Sequence, residues 1–208
     1  MPRYLIFHKP YGVLTQFTDA ENRPTLADYI DAPGVYAAGR LDKDSEGLLL
    51  LTDDGIVLHR VTHPRWKLPK VYLAQVEGTP DELDLQKLRE GVVIKGKKTA
   101  PAQVELLPAE PDLPQRAVRQ YHPTPWLRIV LKEGKKRQVR RMTAAVGHPT
   151  LRLVRVAIGP LTLGKLAPGQ WRSLSEDELQ NLFRALKLIP SRSRHSSRQS
   201  PHKRARKK

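Results

Sequence analysis

The 208-residue chain has no cysteine. Disulfides and thiolate metal sites are therefore excluded. Acids are also scarce: 21 Asp and Glu stand against 37 Lys and Arg, a formal net charge of +16. The isoelectric point lies near 10.3. A balance this basic points to a polyanionic partner, either nucleic acid or an anionic membrane surface. No apolar run approaches the ~18 residues of a membrane span. The run Tyr4–Phe7 before His8 and Lys9 is too short for a signal peptide's apolar segment. The economical expectation is a cytoplasmic protein that handles nucleic acid. Phosphate loops and dinucleotide fingerprints are missing. Ser45 lacks the flanking residues of a nucleophile elbow. The histidines (His8, His59, His63, His122, His148, His195 and His202) are scattered rather than spaced as ligands. No metal site and no cofactor are expected.

What the chain does contain is a succession of short strand and helix signals. Tyr4–Phe7, Lys70–Gly78, Val92–Ile94, Ala102–Leu107, Trp126–Leu131 and Leu151–Ile158 read as strands. Leu48–Leu51, four consecutive leucines between glycine-bearing turns, reads as a strand buried on both faces. Val13–Gln16 reads as extended. Thr25 begins a short helix over Leu26–Ile30, and a second covers Ile56–Val61. Thr79-Pro80-Asp81-Glu82 reads as a helix start with Thr79 as N-cap, and Gly91 ends that helix. Val139, Met142 and Val146 lie at helical spacing, and Ser175 to Glu178 is a capping box. Pro108–Pro125, with five prolines, reads as loop. Strands and helices do not alternate regularly, which predicts an α+β fold with a mixed, largely antiparallel sheet and flanking helices. Residues 190–208 hold eight Lys or Arg and no acid, and read as a disordered basic tail. Residues 1–189 form the expected domain and keep a net charge of +8, so the folded part is basic in its own right.

Two stretches could carry chemistry. One is the loop Gly39-Arg40-Leu41-Asp42 before the leucine strand, where a rigid support holds two charged residues. Taken alone it also reads as a solvated turn. The other is Glu133–Met142, with five Lys or Arg in ten residues. It also reads as a solvated helix face that binds phosphate nonspecifically. Cations at a helix N-terminus oppose the helix dipole. That placement implies an anion, or a buried carboxylate, to meet them, and Arg140 with Asp42 is a candidate pair.

Gly39-Arg40-Leu41-Asp42 with Ser45-Glu46-Gly47 and Leu48 to Gly55 resembles the signature of the RsuA-like ribosomal RNA pseudouridine synthases. Lys70-Val71-Tyr72 resembles the family's lysine–x–tyrosine motif, and Thr99 to Ala102 fits the segment that follows. Glu133 to Met142 is similar to its later basic motif, and Gly147-His148-Pro149 through Arg172 to its closing pattern. The resemblance runs from Tyr4 to about Leu188. Asp53, Lys136 and Val139 stand where Asn, Asn and Ile are common in the family. The family's fold places the active-site cleft across the sheet. The resemblance implies isomerisation of uridine to pseudouridine, without metal or cofactor, in 23S ribosomal RNA. Asp42 is then the catalytic carboxylate, Arg140 its basic partner, and Tyr72 the active-site tyrosine. Arg40 fills the space that the extruded uridine leaves, and Lys70, Lys135, Lys136, Arg137 and Arg141 contact the RNA. A monomer without a separate N-terminal RNA-binding module is expected. The rival readings are a non-catalytic RNA-binding or ribosome-assembly factor, and a synthase acting on small-subunit or transfer RNA.

Overall fold

The computed structural model describes residues 1–66, 68–118 and 123–188; the basic tail expected over 190–208 lies outside them. The elements follow in chain order. β1 (Tyr4–Lys9) precedes β2 (Tyr36–Ala37), β3 (Glu46–Thr52), α1 (Gly55–Thr62), β4 (Lys70–Val76) and α2 (Glu82–Glu90). The hairpin strands β5 (Val93–Ile94) and β6 (Lys97–Lys98) come next, then β7 (Gln103–Leu106) and β8 (Trp126–Leu131). The last third holds α3 (Gln138–Ala145), β9 (Thr150–Ile158), β10 (Leu161–Thr162), β11 (Trp171–Ser173) and α4 (Glu176–Ala185).

The main sheet runs β11-β1-β3-β9-β4-β8-β7, with β2 beside β3 and β10 beside β9. Among the described residues only β3 and β9 pair in parallel, and every other pairing is antiparallel. This is the mixed, largely antiparallel α+β sheet that the sequence predicts. The parallel ladder is short, joining Glu46 to Val154 and Gly47 to Arg155 and no further. Gly47 permits that approach: a Cβ there, at φ +104, would sit 2.3 Å from the Arg155 carbonyl oxygen. Beyond this point the ladder ends, and the Arg155 side chain takes the place of β9 backbone by donating from Nε to the Leu48 carbonyl at 2.8 Å.

The leucine strand divides as a strand with period two must. Leu48 and Leu50 join Ile6, Val154 and Ile158 in a core covered by Val57 and Val61 of α1 and by Leu182 and Leu186 at α4. Leu49 and Leu51 face the other way and pack with Leu5, Phe7, Leu26, Ile30 and Leu41. On that second face a further cluster joins Ala74, Leu127, Ile129 and Leu153 to Leu85 and Leu88 of α2 and to Val139 and Met142 of α3. Tyr72 packs against both clusters of the second face, at the seam between them.

Local departures from the sequence reading have identifiable causes. The segment after Thr25 is a 3-10 turn over Leu26–Asp28, closed by a capping box between Thr25 and Asp28. Val13–Gln16 forms no strand; Leu14 donates to the Pro24 carbonyl instead. The N-cap of α2 is Asp81 rather than Thr79, because the Asp81 carboxylate accepts from the Asp84 amide at 2.8 Å. The cations expected at the start of α3 mostly precede it. Arg137 is the N-cap, in the left-handed region at φ 53, with no side-chain cap.

Candidate active site

The loop carrying Asp42 is tied on both sides of that residue. The Thr15 hydroxyl donates to the Leu41 carbonyl at 2.7 Å and accepts from the Leu41 amide at 3.2 Å. The Lys43 carbonyl accepts from the Gly12 amide at 2.9 Å. The fully buried Lys9 ammonium donates to the carbonyls of Pro10, Val13 and Lys43. Burial lowers the Lys9 pKa to about 8, against the opposing pull of Glu46, Asp44 and Asp42. The Ser45 amide closes the turn onto the Asp42 carbonyl at 3.0 Å. The backbone at Asp42 is therefore fixed, yet no hydrogen bond or ion pair engages its carboxylate among the described residues.

Asp44 is the carboxylate that meets the basic block. Arg137 holds it through two parallel hydrogen bonds of 2.8 Å each. This bidentate pair sits next to the strained Arg137 backbone and contributes to holding it. Arg140, three residues on and so on the same face of α3, donates to the Asp44 carbonyl at 2.6 Å and to the Thr150 carbonyl at 2.9 Å. Its Nε lies 3.4 Å from the Asp44 carboxylate without forming a hydrogen bond. Burial works to raise the Asp44 pKa, but the Arg137 hydrogen bonds and the Arg140 and Arg137 charges outweigh it and hold the carboxyl below its ordinary value. The direct contact of Arg140 is thus with Asp44 and not with Asp42, which corrects the pairing expected from the sequence. Asp42 acts on Arg137 and Arg140 only through its field. The reason is geometric: Asp44 presents both its carboxylate and its main-chain carbonyl to α3.

A cleft of about 630 Å³ opens beside this loop. Asp42 and Tyr72 line it, together with Arg40, Lys70, Lys135, Lys136 and Arg137. Arg140 and Arg141 do not; Arg140 lies behind the loop, and Arg141 is half-buried on α3. Across its described wall, eight Lys or Arg side chains face two acids, Asp42 and Glu133. Glu133 is internally neutralised, taking hydrogen bonds from Lys135 and Gln138. The net field therefore favours a polyanion. Among the described residues no group of three or more His, Asp or Glu side chains converges as metal ligands would. Sequence reasoning missed Asp44, Glu46, Arg152 and Arg155. The available signal was charge at two positions, 152 and 155, of an otherwise apolar strand.

Lys70 lines the cleft, partly buried, and donates to the Leu68 carbonyl at 3.2 Å. Burial, and then the charge of Arg155, lower its pKa to about 8. The charged form is the one that binds phosphate. Raising the pH through about 8 removes that charge from the free protein, while a bound phosphate would restore it. RNA affinity is therefore expected to weaken above pH 8, by up to about tenfold per pH unit for one linked proton. Lys70→Arg keeps the cation at all these pH values and should flatten that component, leaving Lys9 in place. Filter-binding titrations from pH 7 to 9.5 check this, and identical slopes for the two proteins would contradict it.

An unpaired carboxylate and a tyrosine lining one cleft walled mainly by cations fit an enzyme that works on nucleic acid. The sequence model for RNA pseudouridylate synthases matches residues 3–145, and the chain belongs to that family. It is 54% identical over 176 residues to ribosomal large subunit pseudouridine synthase E of Vibrio parahaemolyticus, covering 83% of this chain and 74% of the relative. Against the protein of the same name from Xanthomonas campestris pv. campestris it is 56% identical over 174 residues, covering 81% and 93%. A crystal structure of a pseudouridylate synthase superposes with a TM-score of 0.75 at 31% identity, covering 88% of this chain and 74% of that one. The chain is accordingly an isomerase that converts uridine to pseudouridine in RNA.

Proposed function

We propose that the chain isomerises a uridine of 23S ribosomal RNA, with Asp42 as its catalytic carboxylate. The observation that carries this reading is the Asp42 carboxylate itself, unpaired on a doubly tied loop and lining the same cleft as Tyr72. The identity of 54–56% to large-subunit synthases supports the choice of RNA. Tyr72 lies against the base at the seam of the two clusters, with its hydroxyl available for proton transfer. Extruding a base from structured RNA costs a few kcal/mol, and Arg40, exposed on the loop, fills the vacated stack. Lys70, Lys135, Lys136 and Arg137 meet phosphates in the cleft, and Arg141 does so from α3. Arg140 acts from behind, holding the Asp42–Asp44 segment at the distance that the chemistry needs. The protein is proposed to work as a monomer in the cytoplasm. No described helix is long and apolar enough to cross a membrane.

The test of substrate is a map of pseudouridines in total cellular RNA with and without the protein. The reading expects one 23S position to lose its modification. A loss confined to small-subunit or transfer RNA would redirect the assignment within the same enzyme class.

A further inference from the structure

Two buried polar groups at this cleft have no partner. Arg155 is 2% exposed and Ser45 is 1% exposed. The Nη2 of Arg155 and the hydroxyl oxygen of Ser45 are both buried in the wall of the cleft and make no hydrogen bond. Both residues line the cleft that contains Asp42 and Tyr72. The fold sets Arg155 opposite Gly47, two residues after Ser45, across the short parallel ladder and opposite Tyr72 across the β4–β9 ladder. The one bond that Arg155 makes, from Nε to Leu48, fixes the guanidinium plane. A folded protein seldom leaves such groups unsatisfied, since each costs about 1–3 kcal/mol. Trp126 Nε1 and Arg140 Nε likewise make no hydrogen bond but lie away from the cleft, whereas Arg155 and Ser45 line it, where an entering substrate can supply a partner.

We infer that Arg155 and Ser45 recognise the polar edge of the extruded uracil. The inference rests on the reading of this cleft as a uridine site. Uracil offers two carbonyl oxygens and the N3–H between them. A guanidinium can only donate, so Nη2 takes a carbonyl oxygen. At the C4 position this excludes cytosine, which presents an amino group there. The Ser45 hydroxyl can accept from N3–H or donate to a carbonyl. The same contact assists the reaction. When the N1–C1′ bond breaks, its electron pair stays with the uracil and spreads onto O2 and O4. A new pair from the base then forms the C5–C1′ bond, C5 loses its proton, and N1 gains one. If Asp42 instead adds to the base, negative charge also collects on a carbonyl oxygen. In either course Arg155 faces charge that grows toward the transition state, in a water-poor setting where such a donor is most effective.

The test measures single-turnover rates at saturating RNA. The target uridine, in an RNA fragment that the wild-type protein converts, is replaced by 2-thiouridine or by 4-thiouridine. Wild-type conversion of the unsubstituted RNA reports on the functional reading, and the comparisons report on the pair. One of the two sulfur substitutions is expected to slow the wild type about tenfold or more. Arg155→Lys is expected to be roughly 10²-fold slower on uridine, with little further loss on that same thio-RNA. Ser45→Ala, which changes volume least and disturbs no hydrogen bond, should be about tenfold slower while still saturating with RNA. Equal wild-type rates on all three RNAs would overturn the inference. So would losses that simply multiply in Arg155→Lys, or an unchanged rate in Ser45→Ala. Should Arg155→Lys fail to fold, the wild-type series and the Ser45→Ala series decide the matter.

Discussion

Asp42→Asn is expected to fold, to bind RNA and to make no detectable pseudouridine. The drop in single-turnover rate should be at least about 10³-fold, since a carboxylate acting as base or nucleophile has no amide substitute. The structure adds a sharper expectation about stability. No hydrogen bond or ion pair among the described residues engages the Asp42 carboxylate, and the loop is held through Thr15, Gly12 and Lys9 instead. Unfolding free energy should therefore stay within about 0.5 kcal/mol of wild type, as for substitutions that remove no contact. Urea titration and the rate assay on the same preparation check both halves. A variant that loses activity only because it unfolds would contradict the account as surely as one that keeps its activity.

Glu46→Gln is expected to behave in the opposite way, with a large loss of stability and the catalytic group intact. Glu46 is 4% exposed and starts the leucine strand. Arg152, also 4% exposed, holds it through two hydrogen bonds of 3.0 and 2.9 Å. Arg116 adds a third at 2.8 Å. Neutralising the acid strands the Arg152 guanidinium in the interior. Breaking one side of a buried pair costs about 3–5 kcal/mol. For a domain of this size that corresponds to a fall in Tm of roughly 6–20 °C. Arg116, less deeply set, can turn toward water and adds little. Replacing Glu46 and Arg152 together by methionine should recover most of the loss, because the desolvation penalty disappears with both charges. Calorimetry distinguishes these outcomes: a shift under 2 °C in Glu46→Gln would show that the pair does not carry the strand.

How far the sequence alone predicts these residues depends on whether their role is local or assembled. The leucine strand was readable because a run of four leucines can be buried only on both faces, and Leu48 and Leu50 do face away from Leu49 and Leu51. The capping box at Ser175 was readable because its partner lies three residues away; at Thr25 only a helix start was read, and the box with Asp28 was not. The dipole argument at the basic block allowed an anion or a buried carboxylate, and the structure supplies the Asp44 carboxylate. It could not choose Asp44 over Asp42, because the contacts of Arg137 and Arg140 with Asp44 span 93 and 96 residues. The Thr15 clamp on Leu41 spans 26 residues between two loops and leaves no periodic trace. Leu151–Ile158 reads from the sequence as a strand whose only charges are Arg152 and Arg155. In fact β9 lies between β3 and β4 with both faces covered, so each charge is buried and must find a partner within the fold. The role of Asp42 itself entered through resemblance, and the structure contributes its free carboxylate and its cleft.

The most direct measurement of the central claim is made in cells whose only copy of the gene encodes Asp42→Asn. Pseudouridine in their 23S ribosomal RNA is mapped beside that of cells carrying the wild-type gene and cells carrying none. The account predicts that the position modified in wild type is uridine in the other two, with normal levels of the variant protein. A modified uridine in the Asp42→Asn cells would contradict it, and the catalytic carboxylate would have to be sought elsewhere.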